Sequence, residues 1–158
     1  MIDIVRITDY LTEDLINLHL KSTSKSEVLE ELSDLLAKSD NVGENRNVVL
    51  KALVYREKLG STGIGKGVAV PHAKTDVIKG LTIAFGISDA KINFKSIDNE
   101  DVNIFFVFAS PTKDSQTYLK VLARISRLIR EIPFRKELLA CKEPAEVIAC
   151  IRKRESGS

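Results

Sequence analysis

From Ile16 to Lys21 the chain alternates strictly, with Ile16, Leu18 and Leu20 on one side and Asn17, His19 and Lys21 on the other. A period of two is that of a half-buried strand, so the segment predicts a strand with His19 on its polar face. The period then lengthens. Ser24 and Glu27 stand at capping-box spacing, in which each side chain satisfies a free amide at a helix start. Val28, Leu29, Leu32, Leu35 and Leu36 follow at helical spacing and predict a helix over about residues 25–38, ended by Asp40-Asn41-Val42-Gly43. A second helix is predicted over about residues 45–57, with Val48, Val49, Ala52 and Leu53 inward and Arg56 at its C-terminal end.

The pattern breaks at Leu59-Gly60-Ser61-Thr62-Gly63-Ile64-Gly65-Lys66-Gly67, which holds half of the chain's 8 glycines. A short strand, Val68-Ala69-Val70, leads into Pro71-His72-Ala73-Lys74. Two apolar strands are predicted at 81–87 and 102–109, with the turn-rich Ser96-Ile97-Asp98-Asn99-Glu100-Asp101 between them. The second is apolar almost throughout, as a central strand covered on both faces would be. After Ser110-Pro111, Asp114 or Ser115 caps a helix to about residue 131. Tyr118, Val121, Leu122, Ile125, Leu128 and Ile129 form its apolar stripe, and Lys120, Arg124, Arg127 and Arg130 lie on its solvent side. Pro133 breaks the run, a short helix follows at about 134–141, and Pro144 opens a last helix to about 153. Arg152-Lys153-Arg154 reads as solvated, and the chain is expected to fray from Glu155.

Alternating helices and strands make the class α/β, and hairpin-like pairing of 81–87 with 102–109 makes the sheet mixed. No repeat or linker divides the chain. A length of 158 residues fits one domain, expected over 1–155 with 156–158 as a disordered tail. That length buries a core without disulfide or metal staples. Charge changes the picture little: 24 basic and 22 acidic residues give +2, which is not the charge of a general nucleic-acid or membrane-surface binder. The longest apolar run, Ile104 to Ala109, falls far short of the roughly 20 residues that span a bilayer. Met1 to Arg6 shows no secretory signal, and Cys141 and Cys150, without a CxxC pattern, read as buried free thiols. A reducing cytoplasm fits all of these.

Histidine is the scarce residue. There are 2, His19 and His72, too few for a three-histidine metal site, and they confine the search for a neutral-pH nucleophile or base. His72 ends a short strand, where a side chain can face a cleft. The glycine segment before it nearly matches the P-loop pattern through Gly60, Gly65 and Lys66. Position 67 is Gly, however, so the hydroxyl that would hold magnesium is missing. The segment also opens a strand where a P-loop opens a helix. Its glycines serve positive φ, close packing, or backbone approach to an anion near His72. A hydrolase using His72 as base would need a nucleophile motif such as GxSxG, and none is present.

Arg56-Glu57-Lys58-Leu59-Gly60-Ser61-Thr62-Gly63-Ile64-Gly65-Lys66-Gly67-Val68-Ala69-Val70-Pro71-His72-Ala73-Lys74 resembles the phosphorylation-site signature of the fructose/mannitol-type IIA domains. These belong to the bacterial phosphoenolpyruvate-dependent phosphotransferase system. The resemblance runs from the helix near Lys25 to that near Ile151, includes Phe94 to Val102, and is strongest to the nitrogen-regulatory branch. It implies a mixed sheet of about five strands with helices on both faces. It also implies that His72 accepts a phosphoryl group from a phosphohistidine on a small HPr-like carrier. The group then passes to a IIB domain, or serves as a signal to a transporter, sensor kinase or transcription regulator. No nucleotide, metal or prosthetic group is implied, because donor and acceptor are proteins.

By residue type alone Arg56 is a cation well placed at a helix C-terminus. The resemblance makes it an active-site arginine offering a fork of donors to phosphate. Ser61, Thr62 and the amides of Gly63 and Gly65 become further phosphate donors. Many members place a second histidine at the start of the long helix, and here that position is Tyr118, a neutral donor or simply part of the apolar stripe.

Overall fold

The computed structural model describes residues 5–156. Its elements are β1 (Ile16–Leu20), α1 (Lys25–Leu36), α2 (Arg46–Lys58), β2 (Gly63–Gly65), β3 (Val68–Ala69), β4 (His72–Lys74), β5 (Thr82–Ile92), β6 (Val102–Ser110), α3 (Ser115–Ile129), α4 (Ile132–Ala140) and α5 (Pro144–Ser156). The starts of α1 and α3 follow the sequence signals, while α4 takes Pro133 into its first turn and begins at Ile132, before the expected 134. Ser24 accepts from the amide of Glu27 at 3.3 Å, and the Glu27 carboxylate reaches back to the amide of Thr23. Asp114 accepts from the amide of Thr117 at 3.3 Å and caps α3.

The six strands form one mixed sheet in the order β1-β5-β6-β3-β2, with β4 also paired to β6. β5 and β6 are antiparallel, β1 runs parallel to β5, and both β3 and β4 run parallel to β6. β3 and β4 are thus two pieces of one line along the same edge of β6. Pro71 separates them because it has no amide to donate to the ladder. Its carbonyl accepts from Phe108 at 2.9 Å and keeps the line in place.

Alternation along β6 sends Ile104, Phe106 and Phe108 to one face and Phe105 and Val107 to the other. All five are buried, so this strand is covered on both sides, as its apolar sequence predicts. On one face Phe105 meets Phe94, over whose ring the Lys25 ammonium of α1 lies at 4.4 Å. On the other, Phe108 meets Tyr118 of α3. Phe85 packs on Phe106 with ring centres 4.8 Å apart. All 6 phenylalanines of the chain are buried, and each contributes roughly 1.5–3 kcal/mol of transfer free energy.

Some expectations change. The sheet has six strands where the resemblance implies about five: besides the four segments that the sequence pattern marks as strands, Gly63–Gly65 pairs with β3 as β2 and His72–Lys74 pairs with β6 as β4. Val48 is 39% exposed while Val49 and Leu53 are buried, so the inward stripe of α2 is narrower than its sequence suggests. Arg124 and Arg154 are not free solvent-facing cations: Arg124 pairs with Glu155 at 3.1 Å and Arg154 with Glu137 at 2.6 Å. Glu155 does not fray. It is buried and accepts from the amide of Ile7 at 2.7 Å, tying α5 to the start of the described chain. The helix includes Ser156, the first residue of the expected tail, while Gly157 and Ser158 lie outside the described residues. Among the described residues no helix is long and apolar enough to cross a membrane. Cys141 and Cys150 are unbridged, and burial, followed by the Glu137 carboxylate, pushes the Cys150 thiol up to about 12.

Candidate functional site

The parallel register pairs His72 with Phe108 and Lys74 with Ser110. Residues two apart on a strand share a face, so Phe108 and Ser110 flank the imidazole from β6. His72 Nε2 lies 2.7 Å from the hydroxyl of Ser110. The Phe108 ring meets the imidazole edge to face at 6.3 Å. From above, α3 lays Tyr118 on it, ring centres 3.7 Å apart and planes 18° from parallel. His72 as a residue is 9% exposed.

His72 forms part of the wall of a cleft of about 470 Å³ between α2 and α3. Arg56 and Lys74 supply its positive charge, and Tyr55, Leu59 and Leu119 give it an exposed apolar rim. The Lys74 ammonium donates to Ser115 at the start of α3, 2.9 Å away. The Arg56 guanidinium donates to the carbonyl of Gly60 at 2.8 Å, which uses one of its five N–H groups and leaves others for a ligand. Burial first, then the charges of Lys74 and Arg56, pull the His72 pKa down from 6.5 to about 4. At neutral pH the ring is therefore uncharged and carries a lone pair, the state a nucleophile needs. Burial raises the Tyr118 phenol above its ordinary value of 10.0, so it remains a neutral donor.

The structure thus brings Arg56, His72 and Tyr118 together, and it separates the other four expected site residues from them. None of Ser61, Thr62, Gly63 and Gly65 lines the cleft. Ser61 donates to the carbonyl of Phe94. Thr62 gives both its amide and its hydroxyl to the Glu57 carboxylate, which also holds Lys25 at 2.9 Å. Gly63 is needed for packing: a Cβ there would lie 2.2 Å from Ser96 Oγ. Gly65 sits at φ 96°, in the left-handed region that favours glycine, close to Asp98. Together these contacts fasten the segment between Arg56 and His72 to α1, α2 and the loop before β6. They fix the cleft's outline without entering it.

Ser110 and Lys74 are the site residues that sequence reasoning missed. Ser110 reads there as the end of a strand. Its place beside His72 follows from register, which a single sequence does not carry.

The sequence model of the family described as "Phosphoenolpyruvate-dependent sugar phosphotransferase system, EIIA 2" matches residues 9–154. The chain is 34% identical over 145 residues to a nitrogen regulatory protein of Bradyrhizobium diazoefficiens, covering 92% of this chain and 94% of that one. It is 32% identical over 151 residues to the fructose-specific EIIABC component of Bacillus subtilis, covering 96% of this chain but only 24% of that longer protein. Among solved structures it matches nitrogen regulatory protein IIA-Ntr from Neisseria meningitidis with a TM-score of 0.85 at 30% identity, covering 92% of this chain and 98% of that one. It matches IIA mannitol from Escherichia coli with a TM-score of 0.75 at 19% identity, covering 89% and 97%, a likeness of fold alone. The chain belongs to the EIIA 2 family of the phosphoenolpyruvate-dependent sugar phosphotransferase system.

Proposed function

We propose that the chain is a phosphoryl carrier that accepts its phosphoryl group on His72. The donor is the phosphohistidine of a small HPr-like protein, and the group passes on to a IIB domain or is kept as a regulatory signal. One observation carries this reading: an uncharged imidazole is held in a cleft that two cations also line, inside an exposed apolar rim. The imidazole supplies the nucleophile. Arg56 and Lys74 offer charge to the phosphoryl oxygens, where transfer needs mainly alignment and charge stabilisation. Tyr55, Leu59 and Leu119 give a partner protein an apolar surface to close over the site and exclude water. The reading places the protein in the cytoplasm, in keeping with its two unbridged thiols.

A regulatory role has its own support, because the nitrogen regulatory protein of Bradyrhizobium diazoefficiens aligns over 94% of its length. In that role the phosphate on His72 adds roughly −1.5 to −2 of charge, by analogy with other phosphorylated side chains, and changes affinity for a target protein.

Incubation with an HPr-like carrier, its upstream enzyme and phosphoenolpyruvate tests the carrier. The chain should gain an acid-labile, base-stable phosphate, and His72→Ala should gain none. Equal labelling of His72→Ala would overturn the assignment. Label that chases onto a IIB domain indicates relay, and label that stays while target binding changes indicates regulation.

A further inference from the structure

The polar contacts of the imidazole give Ser110 a role. The side chain of Ser110 is buried, and among the described residues His72 Nε2, at 2.7 Å, is the one polar partner of its hydroxyl. A proton on Nε2 would donate to Ser110 Oγ and leave the serine's own proton with no acceptor, and a buried donor left unpaired is costly. A proton on Nδ1 leaves every group satisfied. The serine then donates to the Nε2 lone pair, while Nδ1, which makes no protein hydrogen bond among the described residues, is not sealed from solvent. Tyr118 cannot do the same, because a stacked phenol presents its face to the imidazole and not its hydroxyl to a lone pair in the ring plane.

We propose that Ser110 holds His72 in the tautomer with its proton on Nδ1 and its lone pair on Nε2, then turns its hydroxyl to the arriving phosphoryl group. This rests on the carrier reading above. In the step, the Nε2 lone pair forms the new N–P bond as the P–N bond of the donor phosphohistidine breaks. The electron pair of the broken bond returns to the donor's ring nitrogen, and His72 keeps its Nδ1 proton. Phosphorus on Nε2 would lie on the line to Ser110 Oγ, 2.7 Å away, so the serine side chain swings to another rotamer, from which its hydroxyl donates to a phosphoryl oxygen. Ser110 exchanges a neutral hydrogen bond for a charge-assisted one as transfer proceeds.

Long-range proton–nitrogen correlation spectra of the full chain, labelled with ¹⁵N-histidine, read the tautomer directly. The wild type at pH 7 should show His72 protonated on Nδ1. Ser110→Ala should give a mixture of tautomers and accept phosphate about tenfold more slowly, the size of one lost hydrogen bond. Ser110→Thr, which keeps the hydroxyl, should retain the wild-type tautomer and most of the rate. A wild-type ring protonated on Nε2 overturns the proposal whatever the variants do to folding. So does Ser110→Ala with unchanged tautomer and rate. Failure of the wild type to take up phosphate would sink the carrier reading instead, and the spectrum would still decide the tautomer.

Discussion

The phenol ring of Tyr118 lies flat on the imidazole of His72, with ring centres 3.7 Å apart and planes 18° from parallel. Residues from α3 and β4, far apart in sequence, meet there as an aromatic pair that fixes the plane of the imidazole. Because stacking uses the ring and not the hydroxyl, the two functions of Tyr118 separate cleanly by substitution.

Tyr118→Phe keeps the stack and is expected to accept phosphate at a rate within about threefold of wild type, since the phenol offers at most one neutral hydrogen bond. Tyr118→Ala removes the stack, worth about 0.5–1.5 kcal/mol, and should slow transfer about tenfold. Single-turnover phosphorylation by the donor carrier measures both. If Tyr118→Phe is as slow as Tyr118→Ala, the hydroxyl and not the ring is what His72 requires.

His72 also makes stability depend on pH. Its pKa is about 4 in the folded chain, held down mainly by burial, and near 6.5 in an unfolded one. Between those values the unfolded chain binds a proton that the native chain does not. Stability therefore falls as pH drops from 6.5 towards 4, is unaffected by this group above that window, and has lost the full contribution below it. The loss amounts to about 3 kcal/mol. Urea unfolding of wild type and His72→Gln at several pH values should show the wild type losing that much relative to the variant. Parallel curves would mean that the ring charges in the native state as readily as in water.

Gly63 tests whether the glycine segment serves packing or ligand approach. A methyl group there would sit 2.2 Å from Ser96 Oγ and 2.9 Å from its Cβ. Gly63→Ala should cost about 1–3 kcal/mol, as overpacking does. Combining it with Ser96→Gly should recover part of that in thermal unfolding, since it frees the space of the serine side chain but leaves the Ser96 Cα 3.0 Å from the new methyl. A Gly63→Ala chain with native stability but slow phosphoryl transfer would return the glycine to the phosphate-binding role.

The sequence alone determined most of the elements and marked out His72. Period two at Ile16–Leu20, the Ser24 cap, the unbroken apolar run of β6 and the stripe of α3 are local patterns, and local backbone and burial preferences suffice to set them. The stretch from Arg56 to Lys74 likewise carries its family resemblance in consecutive residues. Tertiary structure decided which side chains meet His72. The register of β4 on β6 brings Ser110 to Nε2, the docking of α3 turns Tyr118 from a stripe residue into a ring stacked on the imidazole, and the Glu57–Thr62 and Ser61–Phe94 contacts draw the loop's hydroxyls away from the cleft. Each of these depends on pairing between segments distant along the chain. A one-residue slip in register would turn every side chain to the opposite face without changing a letter of the sequence.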